Sequence, residues 1–228
     1  MLSIGHRGAA GHEPENTLRG VACAMRLGAD CIEVDVQLVD GELIVFHDDT
    51  LERTTNGSGA LVDHSFSALR ELDAGSGEKI PTLGEVLDLI DARLGLNIEL
   101  KGPGCVAPVT KLVSDYQDRQ PAWRGKILLS SFDEEQTAQL ADCERNFELG
   151  ILFESDTEAA LERAKAFNAS AIHPSMTQVT PELVSDSHAA GIKVFVYTVN
   201  EPEDIAAMRE LNVDGVFSDY PDRVIVSN

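Results

Sequence analysis

Residues 31–48 read Cys31-Ile32-Glu33-Val34-Asp35-Val36-Gln37-Leu38-Val39-Asp40-Gly41-Glu42-Leu43-Ile44-Val45-Phe46-His47-Asp48. Cys31–Val36 is a short β-branched run of the kind that forms a buried strand, and Asp40-Gly41 is a hairpin signal. Leu43–Phe46 therefore extends the second strand through a turn and does not begin a new crossover. Working outward, further strand-like runs fall at Leu2–Gly5, Leu96–Leu100, Lys126–Leu129, Glu148–Leu152, Ala169–Ile172, Lys193–Tyr197 and Gly215–Phe217. Amphipathic helical stretches lie between them at Asn16–Leu27, Leu83–Arg93, Val106–Gln117, Glu134–Cys143, Glu158–Phe167, Pro181–Ala189 and Glu201–Glu210. With the hairpin counted as one strand, eight β/α units remain. Alternation of this kind predicts a parallel sheet, and eight units predict an α/β fold of the closed (β/α)8 TIM-barrel type. The competing doubly wound sheet would place a G-x-G-x-x-G loop after its first strand, and Gly5-His6-Arg7-Gly8 lacks that spacing.

Punctuation supports the reading. Asp133, Asp156 and Thr180 stand at N-cap positions, and Pro181 and Pro202 suit a first turn. Gly28, Gly95 and Gly191 suit helix C-terminal stops. One segment breaks the rhythm: residues 49–80 contain Arg53-Thr54-Thr55-Asn56-Gly57-Ser58-Gly59 and Ala74-Gly75-Ser76-Gly77, with a short helical stretch near Phe66–Leu72. That is too long for an ordinary βα loop. It starts at the C-terminal end of the second strand, where barrel enzymes build their sites. The expectation is one barrel domain over residues 1–228 with an insertion after strand 2, at 49–80, capping the mouth.

The bulk numbers bound the partners. A chain of 228 residues with 43% hydrophobic residues can bury one large core. Asp and Glu outnumber Lys and Arg 39 to 18, a net charge of −21 that repels nucleic acid and anionic membranes. Cys23, Cys31, Cys105 and Cys143 are scattered without zinc spacing, as expected of reduced thiols in a cytoplasmic protein. Leu2–Gly5 already reads as a strand, so no leader is expected, and no run approaches the roughly 20 apolar residues of a bilayer span. Stable membrane association is not expected. A homo-oligomer is left open.

The ionisable residues at strand ends carry the chemistry. Side chains alternate along a strand, so Glu33 and Asp35 share a face, as do Glu99 and Lys101. Three carboxylates converging at a barrel mouth would repel one another, and a hard divalent cation resolves that: Mg²⁺ or Ca²⁺, with Mn²⁺ also suited. The competing reading is a set of buried salt bridges, Glu99 with Lys101 and Glu33 with Arg7, which repay their desolvation poorly. One divalent cation on three carboxylates leaves one negative charge. Arg7 and Lys101 turn that to one positive, which suits a phosphodiester and the extra charge that develops during attack on phosphorus. His6 and His47 end neighbouring strands and can serve as base and acid. His12, His64 and His188 read as peripheral, whereas His173 ends the sixth strand near the mouth. Asn16 reads as a cap of the first helix, with contact to the site as a second role.

Gly5-His6-Arg7-Gly8, Pro14-Glu15-Asn16-Thr17, Gly28–Val36, His47-Asp48, Ile80–Leu83, Ile98-Glu99-Leu100-Lys101, Ser131-Phe132, Tyr197-Thr198-Val199-Asn200 and Asp214–Pro221 together resemble the glycerophosphodiester phosphodiesterase family, in order and over essentially the whole chain. The resemblance implies a (β/α)8 barrel with an insertion after strand two. It implies metal binding by Glu33, Asp35 and Glu99, acid–base roles for His6 and His47, and phosphate contact by Arg7 and Lys101. The implied reaction is hydrolysis of a small glycerophosphodiester, such as glycerophosphocholine or glycerophosphoethanolamine, to sn-glycerol 3-phosphate and an alcohol. In the family the glycerol 2-hydroxyl is thought to attack phosphorus, and water then opens a cyclic phosphate. Tyr197 stands where the family often has Trp, which changes the wall facing the alcohol, and Ser218-Asp219 stands for the usual Thr-Asp. The rivals are a lysophospholipase D-type or sphingomyelinase-D-like phosphodiesterase on lipids and a non-catalytic glycerophosphate-binding barrel. The long insertion, the acidic surface and the absence of a leader argue against the first, and the complete set of histidines and carboxylates against the second.

Overall fold

Eight parallel strands close on themselves in the computed structural model, which describes residues 1–225. They are β1 (Leu2–Gly5), β2 (Cys31–Val39), β4 (Gly95–Leu100), β5 (Ile127–Ser131), β6 (Glu148–Phe153), β7 (Ala171–Pro174), β8 (Lys193–Val196) and β9 (Gly215–Ser218). Each pairs with the next, and β9 and β2 both pair with β1, which completes the (β/α)8 barrel. β3 (Glu42–Val45) is the exception. It runs antiparallel on β2, with Val36 opposite Val45 and Val39 opposite Glu42. Asp40 (φ 52°) and Gly41 (φ 83°) both take positive φ between them, as a tight hairpin of the right twist requires. β4 then pairs with β2, so the hairpin adds a strand without adding a barrel stave.

Helices follow the staves on the outside: α1 (Leu18–Leu27), α3 (Leu83–Ile90), α4 (Val106–Arg119), α5 (Glu134–Asp142), α6 (Thr157–Ala166), α7 (Pro181–Ala189), α8 (Pro202–Glu210) and α9 (Pro221–Val224). Asp133, Asp156 and Thr180 cap their helices through side-chain bonds to the third residue on, and Pro181 and Pro202 occupy first turns. Gly28 closes α1 at φ 88°.

Two punctuation marks differ from expectation. The third helix ends at Ile90, because Asp91 (φ 50°) and Ala92 (φ 52°) leave the helical region before Gly95 is reached. Gly95 instead opens β4, where a β-carbon would sit 3.2 Å from Cys31 Sγ across the pair. Asn16 does not cap α1. Thr17 does, accepting from Gly20 N at 3.0 Å, and this frees Asn16 for the site.

Between β3 and α3 lies a stretch with its own apolar cluster. Leu51, Leu61, Leu69, Ala74 and Ile80 pack on Val39, Ile44 and Phe46, apart from the main core between barrel and helices. It contains the short helix α2 (Phe66–Leu69), and Arg70 ties it to α3 through two bonds to Glu85, both 2.8 Å. Inside the barrel, Ile4, Ala171, Phe195 and Phe217 form an apolar layer.

Candidate active site

The first turn is built by backbone constraint. Gly8 takes φ 88°, and a β-carbon there would lie 2.6 Å from the Gly20 carbonyl carbon, so only glycine fits. Arg7 is itself left-handed at φ 50°. The turn aims the amide of Arg7 at Glu33 Oε2 (2.7 Å) and the amide of Gly8 at the Glu33 carbonyl (3.2 Å).

Glu33 and Asp35 point inward from β2 and are 2% and 1% exposed; Glu99 on β4 is 8% exposed. The β2–β4 register places Asp35 opposite Glu99, so direct strand pairing assembles the cluster. One carboxylate oxygen from each lies within 4.8 Å of the others. Burial, followed by repulsion from Asp35 and Glu99, pushes Glu33 well above the usual carboxylate range. Burial and then Asp35 push Glu99 up to about 7. Lys101 Nζ sits 2.5 Å from Glu99 and 3.6 Å from Asp35. Burial would lower its pKa, but Glu99 and Asp35 hold it above the ordinary value. Arg7 Nε is 3.2 Å from Asp35 and Arg7 Nη1 bonds Glu15 at 2.7 Å. Of the salt bridges weighed against a metal, Glu99–Lys101 forms. Glu33–Arg7 does not, because the guanidinium turns to Asp35 and Glu15.

That leaves Glu33 Oε1 buried with no hydrogen-bond partner. A buried carboxylate oxygen without a partner, in a cluster of three carboxylates, fits a hard divalent cation: the donor set is all oxygen, and a divalent charge offsets two of the three negative charges. Asn16 locks the cluster from behind, its Nδ2 donating to Asp35 Oδ2 at 2.9 Å and its Oδ1 accepting from Asp35 N at 3.2 Å.

His6, Arg7, Glu33, His47, Glu99, Lys101 and Tyr197 all line one cavity of about 490 Å³. Asp35 and Asn16 lie beneath its surface. Each histidine is held by Nδ1: His6 by Asp219 Oδ1 at 2.7 Å, His47 by Asp48 Oδ1 at 2.6 Å. Burial pulls His47 below its usual value against the pull of Asp35 and Asp48. Asp219 is held in turn by Asn200 Nδ2 at 2.7 Å. Burial would raise its pKa, but the bonds to His6 and Asn200 keep it low. The Tyr197 hydroxyl donates to the Phe153 carbonyl at 2.8 Å, and its ring meets Phe132 edge to face at 5.7 Å. The tyrosine therefore presents ring to the cavity and spends its polar tip on backbone.

His12, His64 and His188 are peripheral, on Asp222, the Ser58 carbonyl and Asp214. His173 lies deeper than expected. It is fully buried in the wall of the cavity, and neither ring nitrogen has a partner. Sequence reasoning missed the groups that hold the histidines and Arg7: Asp219, Asn200, Asp48, Glu15 and Arg53. His47-Asp48 is the one adjacent pair that could have signalled it.

Fold and cavity together define a (β/α)8 barrel whose cavity gathers an acidic cluster, two oriented histidines and two cations, the equipment of an enzyme acting on an anionic substrate. The profile of the Glycerophosphoryl diester phosphodiesterase family matches residues 6–223. A glycerophosphodiester phosphodiesterase of Caldanaerobacter subterraneus is 36% identical, with 98% of this chain and 96% of that protein covered. One from Bacillus subtilis is 34% identical, covering 97% and 84%. An Oleispira antarctica phosphodiesterase, solved in complex with the product sn-glycerol-3-phosphate, superposes with a TM-score of 0.87 at 33% identity, covering 97% of this chain and 94% of that one. The chain belongs to the glycerophosphoryl diester phosphodiesterase family, and it is a phosphoric diester hydrolase.

Proposed function

We propose that this protein hydrolyses small glycerophosphodiesters, glycerophosphocholine and glycerophosphoethanolamine among them, to sn-glycerol 3-phosphate and an alcohol. Glu33, Asp35 and Glu99 would hold one divalent cation, Mg²⁺, Ca²⁺ or Mn²⁺. When bound, the cation supplies Lewis-acid polarisation of the phosphoryl group and offsets the charge that develops on it. The orphaned Glu33 oxygen is the observation that carries this reading.

The chain's own residues do the rest. Arg7 and Lys101 border the cavity as fixed cations, placed to bind the diester and the additional charge of a five-coordinate phosphorus. Attack by a hydroxyl requires that a proton be removed, and departure of an alkoxide requires that one be supplied. His6 and His47 divide those tasks. Because Nδ1 of each faces a carboxylate, Nδ1 carries the hydrogen and Nε2 is left to exchange a proton with substrate. Asp219 and Asp48 stabilise each imidazolium as it forms. Residues 49–80 cap the mouth of a single barrel domain in this reading. The four free cysteines suit a reducing, cytoplasmic setting. Among the described residues no helix is long and apolar enough to cross a membrane.

The test is glycerol 3-phosphate release from both diesters after chelation and re-addition of each cation. Activity restored by at least one cation is expected. No release from any glycerophosphodiester, with metal shown to be bound, would refute the reading. His6→Ala and His47→Ala should each abolish turnover while the fold persists.

A further inference from the structure

We propose that Arg53, from the segment between β3 and α3, is a positioning residue that sets His47 and Arg7 at once. Its guanidinium is shared between two carboxylates. Nε and Nη2 donate to Asp48 Oδ2 (2.6 Å) and Oδ1 (2.8 Å), while Nη1 and Nη2 donate to Glu15 Oε2 (2.7 Å) and Oε1 (2.8 Å). Each carboxylate grips a second group. Asp48 holds His47 Nδ1 at 2.6 Å, and Glu15 holds Arg7 Nη1 at 2.7 Å. The five side chains form one continuous run, His47–Asp48–Arg53–Glu15–Arg7, from the exit of the β2–β3 hairpin to the turn after β1.

Arg53 is presented from a closed turn. Leu51, fully buried in the segment's own cluster, accepts at its carbonyl from Thr55 N (3.1 Å) and Thr55 Oγ1 (2.7 Å). The guanidinium is also the common counter-charge of Asp48 and Glu15, which would otherwise repel each other beside an already acidic site. Among the described residues no other arginine or lysine pairs with Asp48. Arg53 is about half exposed, so its contribution to fold stability is small. Its effect is geometric. Misplacing a catalytic group by about 1 Å can cost on the order of 100-fold in rate. Lysine could restore the charge but not the fork, because an ammonium is a point donor.

This inference rests on the roles proposed above for His47 and Arg7, and kinetics separate the two. Arg53→Met, Arg53→Lys, Asp48→Asn, the Asp48→Asn/Arg53→Met double variant, Glu15→Gln and His47→Ala are compared in the full chain with saturating cation on glycerophosphoethanolamine. Asp48→Asn should lower mainly kcat, and Glu15→Gln should raise mainly KM. Arg53→Met should do both, roughly 10- to 100-fold in kcat and about 10-fold in KM. Because Arg53 acts on His47 through Asp48, Arg53→Met should add little to the kcat loss of Asp48→Asn. Arg53→Lys should keep the unfolding temperature of the wild type yet recover at most about a tenth of kcat/KM. Arg53→Met within twofold of wild type in both constants, full recovery by lysine, or multiplicative losses in the double variant would each overturn the proposal. If His47→Ala keeps its activity, the reading of His47 fails instead.

Discussion

Replacing His173 by leucine should stabilise the protein, and by more in acid than at neutral pH. The imidazole is fully buried against Phe195 and Phe217, with ring centroids 5.7 and 5.1 Å away, and neither nitrogen is bonded. Burial alone pulls its pKa from 6.5 down to about 3. A pKa depressed on folding means that the unfolded chain binds the extra proton, so stability is lost as pH falls below 6.5, the loss ending near 3. At pH 5 the unfolded histidine is mostly protonated and the folded one is not. The penalty there is about 2 kcal/mol, taking about 1.4 kcal/mol per tenfold in proton affinity. His173→Leu removes that penalty. Any change in packing is independent of pH and cancels when the variant's stability gain at pH 8 is subtracted from its gain at pH 5. The assay is urea denaturation of both proteins at the two pH values with saturating cation. A difference of about 2 kcal/mol, or roughly 4–8 °C in Tm for a chain of this size, is expected. A difference near zero would refute the argument, because it would mean that His173 titrates normally in the folded protein.

Three further outcomes follow from the site. Asp219→Asn should lower kcat by roughly 100-fold or more with unchanged circular dichroism, since an amide no longer fixes the His6 tautomer or stabilises its protonated form. Chelation should lower Tm and one of the three cations should restore it. Glu33→Gln should abolish that response while raising the Tm of the metal-free protein at pH 8, because it removes a buried carboxylate that has no ion-pair partner among the described residues and that burial, Asp35 and Glu99 all disfavour in its charged form. Gly8→Ala should destabilise by about 3 kcal/mol or more in denaturant melts, as it combines a positive φ with a β-carbon 2.6 Å from the Gly20 backbone.

Local periodicity explains what the sequence disclosed. Glu33 and Asp35 share a face because alternation in a strand needs only two residues' separation, and Glu99 meets them once the Asp40-Gly41 hairpin is set aside. Apart from Asp48, the groups it did not disclose reach the site from distant parts of the chain. His6 and Asp219 are separated by 213 positions, and Arg53 reaches Glu15 across 38. Neither separation carries a period. Asn16 was legible in part. Its type suits a helix cap, but Thr17 takes the cap, and only the tertiary fold brings the amide to Asp35. Glu15 falls in a motif and Arg53 in the insertion, but nothing local to either distinguishes a shared guanidinium from a surface one.

The apolar cluster that residues 49–80 build on the β2–β3 hairpin should open as a cooperative unit of its own. Leu51, Leu61 and Leu69 are fully buried among themselves and a few β2–β3 residues, and are not threaded into the barrel core. A cluster of that size opens at lower free energy than the barrel. Heating should therefore silence the enzyme before it unfolds it, as Arg53 lets go of Asp48 and Glu15 while the eight staves stay closed. Hydrogen exchange would register the same event as a group of amides between 49 and 80 exchanging together, ahead of β1, β2 and β4. Thermal tolerance of activity would then be set by these thirty-two residues, and improving the barrel core would do little to extend it.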